Sequence, residues 1–170
     1  ALAWMSIGYE TQIPPMNVLT FYNAIANNGV MVRPKFVKAI ARNGEILKEY
    51  PTEIMNPAIC SPKTLKIIQD MLEMVVSKGL GKSAGSKQFH VSGKTGTAQV
   101  GNGSNNAVFI AFAPFDDPQI AVSVVLEHGV RGTNAAQVAK DIFDKYFNLD
   151  SADTTAEPTT ATDVQGGLLR

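Results

Sequence analysis

The chain has 170 residues, 45% hydrophobic and 18% charged, with 15 basic and 15 acidic side chains and a formal net charge of zero. This balance suits one globular domain with a buried core, and it excludes a disordered chain. It argues against a nucleic-acid surface, which carries a basic excess. The single cysteine, Cys60, excludes an internal disulfide and a cysteine-rich zinc site.

Residues 1–13 read as a loop. The opening Ala-Leu-Ala-Trp-Met-Ser has neither a basic start nor an initiator methionine, and is expected to be the cut edge of a longer protein rather than a signal peptide. Pro14-Pro15 then suits a first helical turn. Val18, Leu19, Phe21, Tyr22, Ile25 and Ala26 follow at helical spacing, and Asn28-Gly29 closes the helix. From 30 to 54 the period changes. Val30, Val32 and Phe36 to Ile40 read as a strand interrupted by Pro34. Asn43-Gly44 is a strong turn signal, and Ile46 to Tyr50 returns as a second strand. This hairpin is expected to be an excursion from the core, and Pro51 and Pro57 discourage further strand.

Ser61-Pro62 pairs an N-cap with a proline at the first helical position. Leu65, Ile68, Met71, Leu72, Val75 and Val76 make its apolar stripe, with Met71 and Met74 read as core filler. Residues 79–89 read as a loop. Three strand-like runs follow: Val91 to Val100, Ala107 to Ala113 and Ile120 to Glu127. Their short connections suit antiparallel hairpins, and apolar character on both faces implies a sheet covered on both sides. Asn134 to Phe147 reads as the last helix. The order of elements is that of an α+β layered domain spanning 1–149. Residues 150–163 hold no aromatic or large aliphatic side chain and are expected to be a disordered linker, with 164–170 a tail or the start of a further domain.

The stretch richest in chemistry is Ser92-Gly93-Lys94-Thr95-Gly96-Thr97. Glycine inside a strand marks a bulge or a close approach, so the bland reading is a small-residue strand against another backbone. That reading leaves Lys94 unexplained, because a cleft-facing ammonium needs a partner. On a strand bordering a cleft, Lys94 supplies a fixed charge. Thr95 and Thr97, two residues apart, face one side and can bind a carboxylate together. A free strand edge can also take up an extended peptide.

Other candidates fall away. Gly93-Lys94-Thr95 and Gly81-Lys82-Ser83 match the tail of a Walker A loop, but the required earlier glycine is Gln88 or Val76. The first is also followed by strand rather than helix. His90 and His128 have no metal-ligand spacing and read as structural or surface residues. Asp116-Asp117 before Pro118 reads as turn chemistry, and so does Ser104-Asn105-Asn106. Arg131-Gly132-Thr133 reads as a solvated loop into the last helix.

Lys94-Thr95-Gly96-Thr97 resembles the third signature motif of penicillin-binding proteins and serine β-lactamases. Its context is similar to class B penicillin-binding proteins, closest to the cell-division and elongation D,D-transpeptidases. The matching stretches include Ser6-Ile7-Gly8-Tyr9-Glu10, Ala24 to Gly29, Arg33-Pro34-Lys35-Phe36-Val37, Met71 to Val76, Ser92 to Gln99 and Ala111-Phe112-Ala113-Pro114.

The resemblance implies a partial penicillin-binding-protein/β-lactamase-like fold, the C-terminal half of a transpeptidase domain. It implies a serine acyl-enzyme chemistry that crosslinks peptidoglycan stem peptides and that β-lactam antibiotics intercept, with no cofactor or metal. It implies that Lys94 serves the cleft's potential and proton network, and that Thr95, Thr97 and Ser92 contact substrate. Gly96 would admit the substrate backbone, and the Thr97 N–H would form half of an oxyanion hole. The family's Ser-x-x-Lys motif is absent: Ser83 to Lys87 has the wrong spacing and sits in a loop. The missing nucleophile is expected in the N-terminal remainder of the same protein, which would lie outside the cytoplasmic membrane on an N-terminal anchor. Rival readings are a β-lactam sensor or β-lactamase, and a non-catalytic peptide-binding module.

Overall fold

The computed structural model describes residues 2–6, 8, 11–101 and 103–149. The expected linker and tail lie outside these residues.

Helix α1 is a single turn, Leu2–Met5, where the sequence reads as loop. Helix α2, Pro15–Ala26, starts on its proline. It stops where Asn28 and Gly29 turn left-handed, with φ of 51° and 84°. The Gly29 amide returns to the Ala24 carbonyl at 2.8 Å, which satisfies an acceptor the helix end would otherwise orphan. Helix α3, Pro62–Ser77, is capped as its sequence predicts: Ser61 Oγ accepts from the Thr64 amide at 3.2 Å. Helix α4, Gly132–Tyr146, begins two residues before the expected Asn134.

Between α2 and α3 the chain makes two small sheets rather than one hairpin. Strands β2 (Ala39–Arg42) and β3 (Glu45–Glu49) pair across Asn43-Gly44. Both turn residues have positive φ, as a two-residue hairpin loop requires. Strands β1 (Met31–Val32) and β4 (Ile54–Asn56) pair separately. The expectation of no strand after Pro51 is therefore corrected: Pro51 and Pro57 flank β4 without interrupting it. Residues 36–38, expected in strand, lie outside one, and Phe36 is exposed.

The main sheet is antiparallel, β5 (Ser92–Ala98), β6 (Asn106–Ala113) and β7 (Ile120–Leu126), in the order β5-β6-β7. One face carries Phe109, Ala111, Val122 and Val124 and packs on Ala135, Ala136, Ala139 and Phe143 of α4. The other carries Phe112, which packs with Ile25 of α2 and with Leu65 and Leu72 of α3. Phe109, Phe112 and Phe143 are fully buried; burial of each such ring contributes about 1.5–3 kcal/mol. This is the expected α+β arrangement, with β6 central and covered on both faces.

Met71 and Met74 correct another expectation. Leu65, Leu72 and Val76 form the buried stripe of α3, while Met71 and Met74 are 60% and 48% exposed. The two methionines sit on the flank that turns away from the sheet. The 79–89 connection holds a short 3-10 turn, Lys82–Ala84, with Ala84 buried. Ser83 Oγ donates to the Thr133 carbonyl at 3.0 Å, tying this turn to the start of α4.

Candidate functional site

Strand β5 lies at the edge of the sheet, with β6 as its one neighbour among the described residues. Its register decides which side chains share a face. Thr95 lies opposite Phe109 and Thr97 opposite Ala107, on the α4 side. Lys94 lies opposite Ile110 and Ser92 opposite Phe112, on the side of α2 and α3. The lysine and the two threonines therefore leave the strand on opposite faces. At an edge strand both faces meet at the free border, so a ligand lying along that border can be reached from both.

Lys94 is exposed, and its Nζ donates to the Thr95 carbonyl at 2.5 Å. No carboxylate pairs with it among the described residues. Thr97 is exposed and Thr95 half-buried. Ser92 departs from the expected substrate contact. Its side chain is fully buried and its Oγ has no hydrogen-bond partner among the described residues. It points into the α3 side of the sheet, where no surface is left for a ligand.

The glycines have separate reasons. A β-carbon on Gly93 would stand 2.7 Å from Phe109 Cζ and 2.8 Å from the Ile110 carbonyl oxygen, so a larger residue there displaces the central ring. Gly96 is freer: its nearest would-be neighbour is Val108 Cβ at 3.4 Å. Gly132, at the start of α4, presses directly on the strand. A β-carbon there would lie 2.6 Å from the Gly96 carbonyl oxygen. This brace was not read from the sequence. The signal available was a glycine at a helix start, where a capping side chain is preferred.

On the lysine side, the sheet surface beyond Lys94 is partly open, with Ala98 and Val125 exposed and Ile110 buried. Val108, Ile110, Ser123 and Val125, with Ile13 and Val18, line a cavity of about 260 Å³. Ser123 Oγ is buried there without a partner among the described residues. An apolar sheet face with an orphaned hydroxyl is a surface suited to further protein.

The rejected candidates have structural roles. His90 Nδ1 stands 3.2 Å from Glu73 Oε1. The His128 amide donates to Asn106 Oδ1, and its ring contacts the Ser104 carbonyl. Ser104 and Asn106, the latter the first residue of β6, thus hold the β7–α4 connection. Asp116 and Asp117 are exposed in the β6–β7 connection.

Residues 1–145 match the family described as penicillin binding protein transpeptidase domain. The chain belongs to this family. Among its curated relatives, penicillin-binding protein 2B of Streptococcus pneumoniae is 32% identical over 158 residues, covering 83% of this chain and 23% of that protein. Peptidoglycan D,D-transpeptidase MrdA of Haemophilus influenzae is 32% identical over 162 residues, covering 83% of this chain and 24% of that protein. Among solved structures, the D,D-transpeptidase domain of a peptidoglycan glycosyltransferase from Eggerthella lenta superposes with a TM-score of 0.73 at 30% identity, covering 82% of this chain and 33% of that one. The chain thus spans about a quarter of the length of these curated relatives. The transpeptidase family places the lysine strand and its covering helices in one known architecture, which agrees with the fold class read from the sequence.

Proposed function

We propose that this chain is part of a peptidoglycan D,D-transpeptidase and forms the substrate-binding wall of its cleft. The observation that carries the reading is the edge strand. Within family membership, β5 offers a border unpaired among the described residues, an exposed lysine with no counter-ion among them, and two threonines on one face.

In the reaction, a serine oxygen attacks the carbonyl carbon of the stem peptide's penultimate D-alanine. The terminal D-alanine leaves as the amine, and the acyl group stays on the serine as an ester. The amine of a neighbouring stem then attacks the ester, forming the crosslink and returning the serine. A β-lactam opens on the same serine and stops at the ester. Residues of this chain bind and stabilise. Thr95 and Thr97 hydrogen-bond the terminal carboxylate, and Lys94 sets a positive potential and supports proton movement at the serine. Gly96 lets the peptide approach, and the Thr97 N–H stabilises the developing oxyanion.

The nucleophile and its lysine belong to the N-terminal remainder of the same protein. That remainder would cover the lysine-side surface at Ala98, Val108 and Val125. Residues 1–149 then form the C-terminal half of the catalytic domain, and 150–163 a linker. The parent protein works in the cell envelope, outside the cytoplasmic membrane, held by a preceding membrane helix.

Fluorescent penicillin tests the reading. It labels the parent protein at one serine outside this chain, and leaves the 170-residue chain unlabelled, because a nucleophile needs its activating base within reach. Stoichiometric labelling of the isolated chain, or none of the parent, refutes it.

A further inference from the structure

The connection from β7 to α4 crosses the threonine face of the lysine strand under visible strain. Val130 has a φ of 68°, a left-handed conformation that a β-branched residue adopts only at a cost. The Arg131 amide donates to the Gly129 carbonyl at 2.8 Å, closing a three-residue turn around Val130; a turn of this kind with positive φ is rare and strained.

Neighbouring bonds hold the turn in place. The Val130 amide donates to the Asn105 carbonyl at 2.9 Å. Asn134 Nδ2 donates to the Gly129 carbonyl at 2.8 Å. A glycine on either side presses the turn onto the sheet. A β-carbon on Gly129 would lie 2.8 Å from Ala107 Cβ, and Ala107 is the cross-strand partner of Thr97. A β-carbon on Gly132 would lie 3.0 Å from Thr95 Cβ.

The two residues between these glycines are left exposed. Arg131 forms no ion pair and its guanidinium donates no hydrogen bond among the described residues. Thr97 is two strand residues beyond Thr95, about 6.6 Å at the usual rise, within the reach of an arginine side chain. A cation without a partner among the described residues is thus carried by a strained turn whose flanking glycines press on Thr95 and on Ala107, the partner of Thr97. A guanidinium is suited to carboxylates because its planar fork can donate two parallel hydrogen bonds.

We propose that Arg131 is a substrate-recognition residue of the lysine-strand site, binding the terminal carboxylate of the stem peptide, or the matching carboxylate of a β-lactam, together with Thr95 and Thr97. The inference rests on the transpeptidase reading and adds to it a cation on the threonine side of the strand, opposite Lys94. It also gives the strained turn a task, since the turn fixes the backbone that carries Arg131.

The test is the acylation rate constant of the parent protein with benzylpenicillin and with benzylpenicillin methyl ester, each measured by competition against fluorescent penicillin. Arg131→Ala lowers the rate for the free acid about tenfold or more and leaves the ester rate unchanged, as expected for loss of a hydrogen-bonded charge pair. Arg131→Gln keeps length and polarity, and reads the same acid-to-ester ratio if the alanine variant fails to fold. An unchanged ratio overturns the assignment, whether the two rates hold or fall together; falling together marks a structural role. Failure of the wild-type parent to react with either compound overturns the transpeptidase reading itself, and the role of Arg131 with it.

Discussion

Replacing Gly132 by alanine asks whether α4 holds the lysine strand in position. The new methyl group would stand 2.6 Å from the Gly96 carbonyl oxygen, 2.9 Å from the Gly96 amide nitrogen and 3.0 Å from Thr95 Cβ. None of these atoms can rotate away, since the strand is paired to β6 from Ser92 to Ala98. Overpacking of this kind costs about 1–3 kcal/mol. Alanine's helical preference over glycine returns at most about 1 kcal/mol, leaving a net loss of up to about 2 kcal/mol. In a domain of this class that lowers the melting midpoint by up to about 8 °C. The substitution also shifts the strand against the nucleophile, and a displacement of about 1 Å can slow acylation about 100-fold. Gly96→Ala is the comparison. Its methyl group meets Val108 Cβ at 3.4 Å, so stability should hold within about 0.5 kcal/mol. Calorimetry of the parent protein, paired with penicillin acylation kinetics, reads both effects. A Gly132→Ala protein that melts and acylates like wild type would show that α4 does not brace the strand.

Thr97→Val removes an exposed hydroxyl and should leave the melting midpoint unchanged while slowing acylation by penicillin about 10–100-fold, the loss of one hydrogen bond to a charged group; equal rates would remove Thr97 from the carboxylate site. Ser92→Ala deletes a buried hydroxyl that has no partner among the described residues. It should raise stability by about 1 kcal/mol without altering acylation, and a fall in the acylation rate would restore Ser92 to the substrate site. At the exposed Arg33–Glu53 pair, the hydrogen bond from Arg33, and then its charge, holds the Glu53 carboxyl below its ordinary pKa. The folded-state value lies below the unfolded one, so the pair's contribution is present above the ordinary carboxylate range and is lost as pH falls through the lowered value. Being exposed, it weakens with salt. An NMR titration should show the Glu53 pKa return upward in Arg33→Gln, and an unmoved value would contradict the pairing.

The elements legible in the sequence were those with a local cause. Ser61-Pro62 announces α3 because the cap bond to Thr64 depends on residues three apart. Asn43-Gly44 announces a hairpin because its turn needs two positive φ values. What was not legible depends on partners distant in the chain. Strand β4 exists because Ile54 meets Val32 and Asn56 meets Met31, and no local pattern around Pro51 and Pro57 reports that pairing. Met71 and Met74 fit the apolar stripe of α3 by spacing. The burial is decided by where the sheet lies, and the sheet meets Leu65, Leu72 and Val76 instead. Periodicity identifies a wide stripe without saying which edge of it turns outward.

The site shows the same division more sharply. Alternation along a strand places Thr95 and Thr97 together and Lys94 apart from them, and the register confirms the two faces. Alternation alone then suggests that one ligand cannot meet all three side chains. What resolves this is the position of β5 at the sheet edge, a property of topology that no stretch of ten residues encodes. A central strand with the same six residues would bury its lysine on one face and its hydroxyls on the other, and each would need its own partner. At the edge, the border is reachable from both faces, and its backbone has no strand partner among the described residues. The tight packing of Gly93 on Phe109 and of Gly132 on Gly96 then has a functional consequence: the strand is pinned from the α4 side by contacts that allow no side chain, while its border stays open.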